Sequence, residues 1–222
     1  MIKSIDFYFD FISPYSYLAH KKIKYIKEIK DINFNYKAIL VGGLHNLQGI
    51  TAPAFIKPKL EHMIGDCDLI AKKNKSDFIW NSKFPINSLN IMRGYLFVND
   101  KIKSLYLDVM FDAYWKDNLD ISNEITLKSL LEKCNIDSDK YLEGIKELKI
   151  KNELKDITQL AFDKGVFGAQ HMLLIIKYFG DKIGWNLLLM STTDSLNYFK
   201  ITLTYCCKAP INVRNIIKAH FF

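Results

Sequence analysis

The chain has 222 residues, of which 49% are hydrophobic, so it can bury the core of one large domain or of a domain with an insertion. Asp6 and Asp10 interrupt the first apolar run, and no run is long enough for a membrane span, so we expect a cytoplasmic protein with no membrane partner. The net charge is +7, but the lysines are scattered, which is typical of a solvated surface and does not predict a nucleic-acid partner.

The four cysteines are Cys67, Cys134, Cys206 and Cys207, and no two of them form a C-x-x-C pair. The sequence therefore lacks the signature of a dithiol redox site and of a zinc knuckle, and reduced thiols are the favoured interpretation. The five histidines show no spacing typical of metal ligands, so we expect no metal site.

The first forty residues predict a strand, a helix and a second strand. Residues 5–9 alternate between apolar and polar or mixed positions, and residues 34–38 alternate again. Between them, Ser13 and Pro14 favour a helix start, since serine caps helices well and proline is tolerated at the first helical position. A crossover through one helix predicts that the two strands are parallel.

From about Val41 to Lys155 the apolar spacing is mainly helical. Helices are predicted over residues 59–73, 88–98, 101–116, 127–134, 138–148 and 152–164. The last of them is stopped by Gly165, which suits a helix C-terminus. The caps expected for the two helices before it are Ser122 or Asn123 and Asp137 or Ser138. The chain after this helical block is expected to complete a sheet.

The run FDFISPYSY, residues 9–17, places Ser13 where a strand ends and a helix begins. Backbone N–H groups are unpaired at such a point, and the helix contributes roughly half a positive charge. An anion is stabilised there, and the pKa of a nearby thiol is lowered. A serine hydroxyl cannot exchange disulfides, but it can donate a hydrogen bond to the thiolate of another molecule. A plain helix cap is the alternative, and this run alone does not decide between the two.

The same run resembles the N-terminus of 2-hydroxychromene-2-carboxylate isomerases and of the related kappa-class glutathione transferases. Three further segments agree with this family: PAFIKPKLEHM at 53–63, FPINSLNIMRG at 84–94 and GVFGA at 165–169. The resemblance spans residues 2–169, and the segments follow in the family's order. It implies an α/β, thioredoxin-like fold with an all-helical insertion. The expected thioredoxin-like domain comprises 1–41 and 156–222, and the insertion 42–155.

The resemblance also implies glutathione as cofactor and a small aromatic anionic molecule as substrate. The expected reaction interconverts a hydroxychromene carboxylate and a trans-benzylidenepyruvate through transient thiolate addition. Ser13 aligns with the catalytic serine that holds the thiolate. The other implied glutathione-binding residues are Lys59, Phe167, Gly168 and Ala169, and the implied substrate-binding residues are Pro14, Tyr15, Asn87 and Arg93. Lys59 as a plain surface lysine, and Arg93 as a helix-surface or ion-pair residue, remain open alternatives.

Two departures from the family pattern keep other functions open. Ala169 is followed by Gln170 where the family has a proline, and the later W-G-x-D-R segment has no clear counterpart. With AT-rich codons, one base inserted in codon 170 restores both features, so we hypothesise that 170–222 is a frameshifted tail. The alternatives are therefore a kappa-class-like glutathione transferase and a non-catalytic relative, and the choice between monomer and homodimer stays open.

Overall fold

The computed structural model describes residues 3–29, 32–169, 171–176, 186–190 and 201–202. Its strands are β1 (Lys3–Phe9), β2 (Ile32–Ala38), β3 (His171–Ile176), β4 (Asn186–Met190) and β5 (Ile201–Thr202). Its helices are α1 (Pro14–Ile29), α2 (Val41–Gln48), α3 (Lys57–Lys73), α4 (Leu89–Phe97), α5 (Asp100–Trp115), α6 (Glu124–Lys133), α7 (Ser138–Gly144) and α8 (Leu148–Asp163), with a short 3-10 helix at Pro53–Phe55.

The described strands form one sheet in the order β2-β1-β3-β4-β5. β1 pairs with β2 in parallel, with Ile5 opposite Phe34, which confirms the predicted β-α-β unit. β3 pairs with β1 in the antiparallel direction, and β4 and β5 continue antiparallel. β3, β4 and β5 complete the sheet, as expected for the chain after the helical block. The residues between and after these three strands lie outside the described residues.

β1 is buried on both faces, because α1 and the helical block cover one face while α2 and α8 cover the other. Phe7 and Phe9 are fully buried in the larger core cluster, where the ring of Phe9 meets that of Tyr95 edge to face at 5.0 Å. Tyr8 points the other way, into a second cluster with Leu44 and Val166. The alternation of apolar and polar residues predicts a strand with one face in solvent, whereas both faces of β1 are buried.

The predicted helix signals are confirmed at three ends. The Asn123 side chain accepts the N–H groups of Ile125 and Thr126 at the start of α6, and Asp137 caps α7 in the same way. Gly165 has a φ of +79° just after α8, the left-handed conformation that glycine adopts without strain.

The helix predicted over 138–148 is shorter in the structure, and its successor begins earlier than predicted. α7 ends at Gly144, whose backbone lies directly against the ring of Phe97, and α8 starts at Leu148. The helical spacing of the sequence continues through this break and therefore does not predict it. The domain boundary predicted at 156 falls inside α8 and stays a prediction.

A buried histidine ties α1 to β2 and α5. His20 is 2% exposed, and its two ring nitrogens lie 2.8 Å from the Tyr36 hydroxyl and 2.8 Å from Asp108 Oδ1. Lys24 donates to the other oxygen of Asp108 at 2.7 Å. Burial lowers the pKa of His20, so the imidazole is held neutral inside this network.

Candidate functional site

The turn between β1 and α1 has the geometry that the sequence predicted for Ser13. Ser13 Oγ accepts the backbone N–H of Ser16 at 3.2 Å, and its carbonyl accepts the N–H of Tyr17 at 3.2 Å. Ser13 therefore caps α1, with Pro14 as the first helical residue. The serine is 9% exposed, so its hydroxyl lies in a largely water-excluded place where hydrogen bonds and charges act strongly.

The unpaired amides of the first turn can be counted one by one. Pro14 has no N–H, and the amides of Ser16 and Tyr17 are taken by Ser13. Within the described part of the chain, the Tyr15 amide and the Ser13 hydroxyl hydrogen are left as donors at the positive end of α1. These two donors and the helix dipole suit one anionic atom such as a thiolate sulfur.

Asp10, three residues before Ser13, is a site residue that the sequence analysis did not single out. It is fully buried, and its oxygens accept the N–H of Ile12 at 3.2 Å and that of Val41 at 2.9 Å. Ser88 adds a side-chain hydrogen bond. Burial raises the pKa of Asp10 to about 6 although all three hydrogen bonds oppose that shift. The feature of the sequence that could have pointed to Asp10 is that a charged residue stands at the end of an otherwise apolar strand.

The side chain of Tyr15 connects the start of α1 to α3. Its hydroxyl donates to Asp66 Oδ2 at 2.9 Å and lies beside Cys67, and burial raises the pKa of that thiol. In the first turn of α1, Ser16 Oγ is buried with no hydrogen-bond partner among the described residues. Because the Tyr15 hydroxyl is already bonded to Asp66, its ring is the part of this side chain best suited to contact an aromatic substrate.

Three of the site residues implied by the family resemblance belong to the helical block, at the start of α3, just before α4 and within α4. Lys59 is exposed in the first turn of α3. Asn87 is exposed just before α4, and its Oδ1 accepts the N–H of Leu89 at 3.0 Å, which leaves the amide nitrogen as a donor. Arg93, within α4, is partly buried, and its Nε is buried without a hydrogen-bond partner among the described residues. A guanidinium with an unpaired buried nitrogen fits the role of receiving a carboxylate.

The loop after α8 leads back to the sheet edge from which Ser13 departs. Ala169 packs against the cluster that contains Tyr8, while Phe167 is 52% exposed. Since Tyr8 pairs with His171, the chain at Gly168 and Ala169 lies next to the carboxyl end of β1. The structure therefore places this loop and the Ser13 turn at one edge of the sheet. It shows no hydrogen bond from Ser13 to Lys59, Asn87 or Arg93 within the described residues.

The parallel β-α-β unit, the antiparallel strand beside β1 and the capped helix start together define a thioredoxin-like fold with a helical block inserted after β2. The model of the DSBA-like thioredoxin domain matches residues 4–187, and the chain belongs to this family. The match continues past Ala169 into the part of the chain that departs from the family pattern.

Relatives and a solved structure agree with this assignment. A 2-hydroxychromene-2-carboxylate isomerase from Sphingobium xenophagum is 26% identical over 83% of this chain and 93% of its own length. Human glutathione S-transferase kappa 1 is 25% identical over 75% of this chain and 78% of its own. A solved 2-hydroxychromene-2-carboxylate isomerase superimposes with a TM-score of 0.69 at 23% identity, covering 82% of this chain and 88% of that one.

In the described part of this chain, none of the helices combines the length and apolarity of a membrane span.

Proposed function

We propose that this chain is a glutathione-dependent isomerase that interconverts a hydroxychromene carboxylate and a trans-benzylidenepyruvate. The observation that carries the proposal is the Ser13 turn, where a serine hydroxyl and the Tyr15 amide converge at a helix N-terminus. A site of this kind can hold a thiolate, and the sequence of α1 itself contains no cysteine. A thiol from a second molecule fits this arrangement, and the similarity to named isomerases and to a glutathione transferase supports glutathione.

Bound glutathione would supply the nucleophile that adds to a conjugated double bond of the substrate and leaves again after rotation about that bond. In this proposal Ser13 Oγ donates its hydrogen to the sulfur, and the positive end of α1 favours the anion. The Arg93 guanidinium receives the substrate carboxylate, with the Asn87 amide as a second donor. Lys59 and the loop from Phe167 to Ala169 hold the remainder of glutathione.

Replacing Ser13 by alanine tests the proposal. Loss of the donor should lower glutathione-dependent turnover by about 10²–10³-fold and raise the pKa of the bound thiol, because an anion-stabilising group has been removed. The two readouts are the conversion of the hydroxychromene carboxylate and the ultraviolet absorbance of the thiolate across pH.

The matched control is Asn123→Ala, because it also removes a helix cap, at the remote α6. Both variants should lose about 1 kcal/mol of stability, but only Ser13→Ala should lose turnover. Equal turnover in the two variants would remove Ser13 from the reaction and leave it as a plain cap.

The transferase alternative rests on the similarity to glutathione S-transferase kappa 1, and it predicts a different product. A transferase would accumulate a glutathione thioether with an electrophilic aromatic substrate, whereas an isomerase returns all of its glutathione. A non-catalytic relative would bind glutathione weakly, which is what the glutamine at position 170 favours. Titration calorimetry with glutathione, followed by mass analysis of the products, separates the three.

A further inference from the structure

The Asp10 carboxylate is a common acceptor for three separate segments of the chain. Its oxygens accept N–H groups from Ile12, in the turn before Ser13, and from Val41, the first residue of α2. The Ser88 hydroxyl, directly before α4, is its third partner. The backbone carbonyl of Asp10 also accepts the N–H of Ser13 at 3.0 Å. One fully buried residue therefore joins the ends of β1, α1, α2 and α4.

These segments carry the two halves of the proposed site. The turn holds Ser13, to which we assign the thiol. Asn87, directly before Ser88, and Arg93, within α4, are the residues to which we assign the substrate. Within the described residues, no direct hydrogen bond joins Ser13 to either of them. The distance between the halves therefore depends on shared contacts. The N–H of Phe11 donates to Met92 Sδ on α4 at 3.4 Å, and Asp10 is a second link, whose side chain bonds the turn, α2 and the residue before α4.

We propose that Asp10 is a positioning residue that sets the placement of the Ser13 turn relative to the N-terminal end of α4. The effect of Asp10 on the alignment of thiol and substrate rests on the proposed function, whereas its effect on the placement of the two segments does not. A carboxylate suits the task because each of its two oxygens accepts a hydrogen bond. An asparagine has one acceptor oxygen and a nitrogen that cannot accept, so Asp10→Asn must release at least one partner.

The pH dependence of the amide signals gives a readout that a merely space-filling role would not move. The backbone N–H signals of Ile12 and Val41 should shift in the protein's NMR spectrum with a common midpoint near pH 6, as Asp10 changes charge. The phenol of Tyr114, on α5, also faces the charge of Asp10. The pKa of Tyr114 is raised, mainly by burial, so Tyr114 stays neutral while Asp10 titrates. Ser88→Ala removes a donor to the charged form and should move the midpoint to higher pH.

Asp10→Asn should abolish the common midpoint and shift the amide signals of Ser13 and Ser88 together. It should also lower kcat/KM by about 10- to 100-fold, as misplacement of two reacting groups does. The matched control is Asp6→Asn on β1, the strand that ends directly before Asp10. Asp6 is 6% exposed, and its carboxylate accepts a hydrogen bond from Asn35 at 3.1 Å. This control should leave the Val41 and Ser88 signals in place.

A Val41 amide that does not titrate near pH 6 in the unsubstituted protein would overturn the proposal, and so would equal effects of the Asp6 and Asp10 variants. This measurement needs neither glutathione nor turnover. If the amides behave as expected while the protein shows no glutathione-dependent reaction, the positioning role of Asp10 stands and the proposed function fails.

Discussion

Gly94 in α4 allows a sharp test of how closely the helical block is packed. A Cβ added at this position would overlap the hydroxyl groups of Tyr141 and Tyr106. These two hydroxyls are hydrogen-bonded to each other at 2.7 Å, and Tyr106 also donates to the carbonyl of Ile91 at 2.9 Å. Gly94→Ala therefore has to displace a buried, fully bonded tyrosine pair.

The expected size of the effect follows from three contributions. Alanine in place of glycine favours a helix by about 1 kcal/mol. Overpacking a close contact costs about 1–3 kcal/mol. A buried hydrogen bond lost when the tyrosines move costs about 1–3 kcal/mol more. Gly94→Ala should therefore destabilise the protein by about 1–5 kcal/mol if a hydrogen bond is lost, and by about 0–2 kcal/mol if the tyrosines shift together and stay bonded.

Gly65 provides the control, because it lies in the interior of α3, is exposed, and would have nothing within 4 Å of an added Cβ. Gly65→Ala should stabilise the protein by about 0.5–1 kcal/mol, so the same substitution has opposite signs at the two sites. Urea unfolding followed by tryptophan fluorescence and far-UV circular dichroism gives both values.

A Tyr141→Phe background tests the cause of the effect at Gly94. Removing the Tyr141 hydroxyl deletes the atom nearest to the added Cβ, so Gly94→Ala should cost less there than in the unsubstituted protein. If Gly94→Ala stabilises the protein as Gly65→Ala does, α4 and α7 are not packed at this distance and the reasoning is refuted.

Two further predictions concern buried titratable groups. Burial places the folded-state pKa of His20 below 6.5, so its contribution to stability is complete above that pH and is lost as the pH falls through the folded value. His20→Phe should flatten this part of the stability curve in urea unfolding at pH 5–7, and an unchanged slope would contradict it. Cys67 and Cys134 are buried and burial raises the pKa of both thiols, so iodoacetamide should modify neither in the folded protein and both in urea, as read by peptide mass analysis.

Features of this protein whose physical causes are local could be predicted from the order of its residues. Ser13 caps α1, and Asn123, one of the two caps predicted for α6, caps that helix, because a short polar side chain meets an amide only two or three residues further along the chain. The parallel pairing of β1 with β2 follows in the same way from a single connecting helix of ordinary length.

Contacts between distant segments could not be predicted in this way, because they depend on how the elements pack in the folded chain. The buried carboxylate of Asp10 has hydrogen-bond donors on Val41, 31 residues away, and on Ser88. No pattern in the residues around Asp10 predicts these two partners. Gly144 in α7 lies so close to the ring of Phe97 that an added Cβ would overlap it, and this contact is between residues far apart in the chain. Periodicity reports which face of one element is apolar, whereas the identity of the group that meets that face depends on how all the elements pack together.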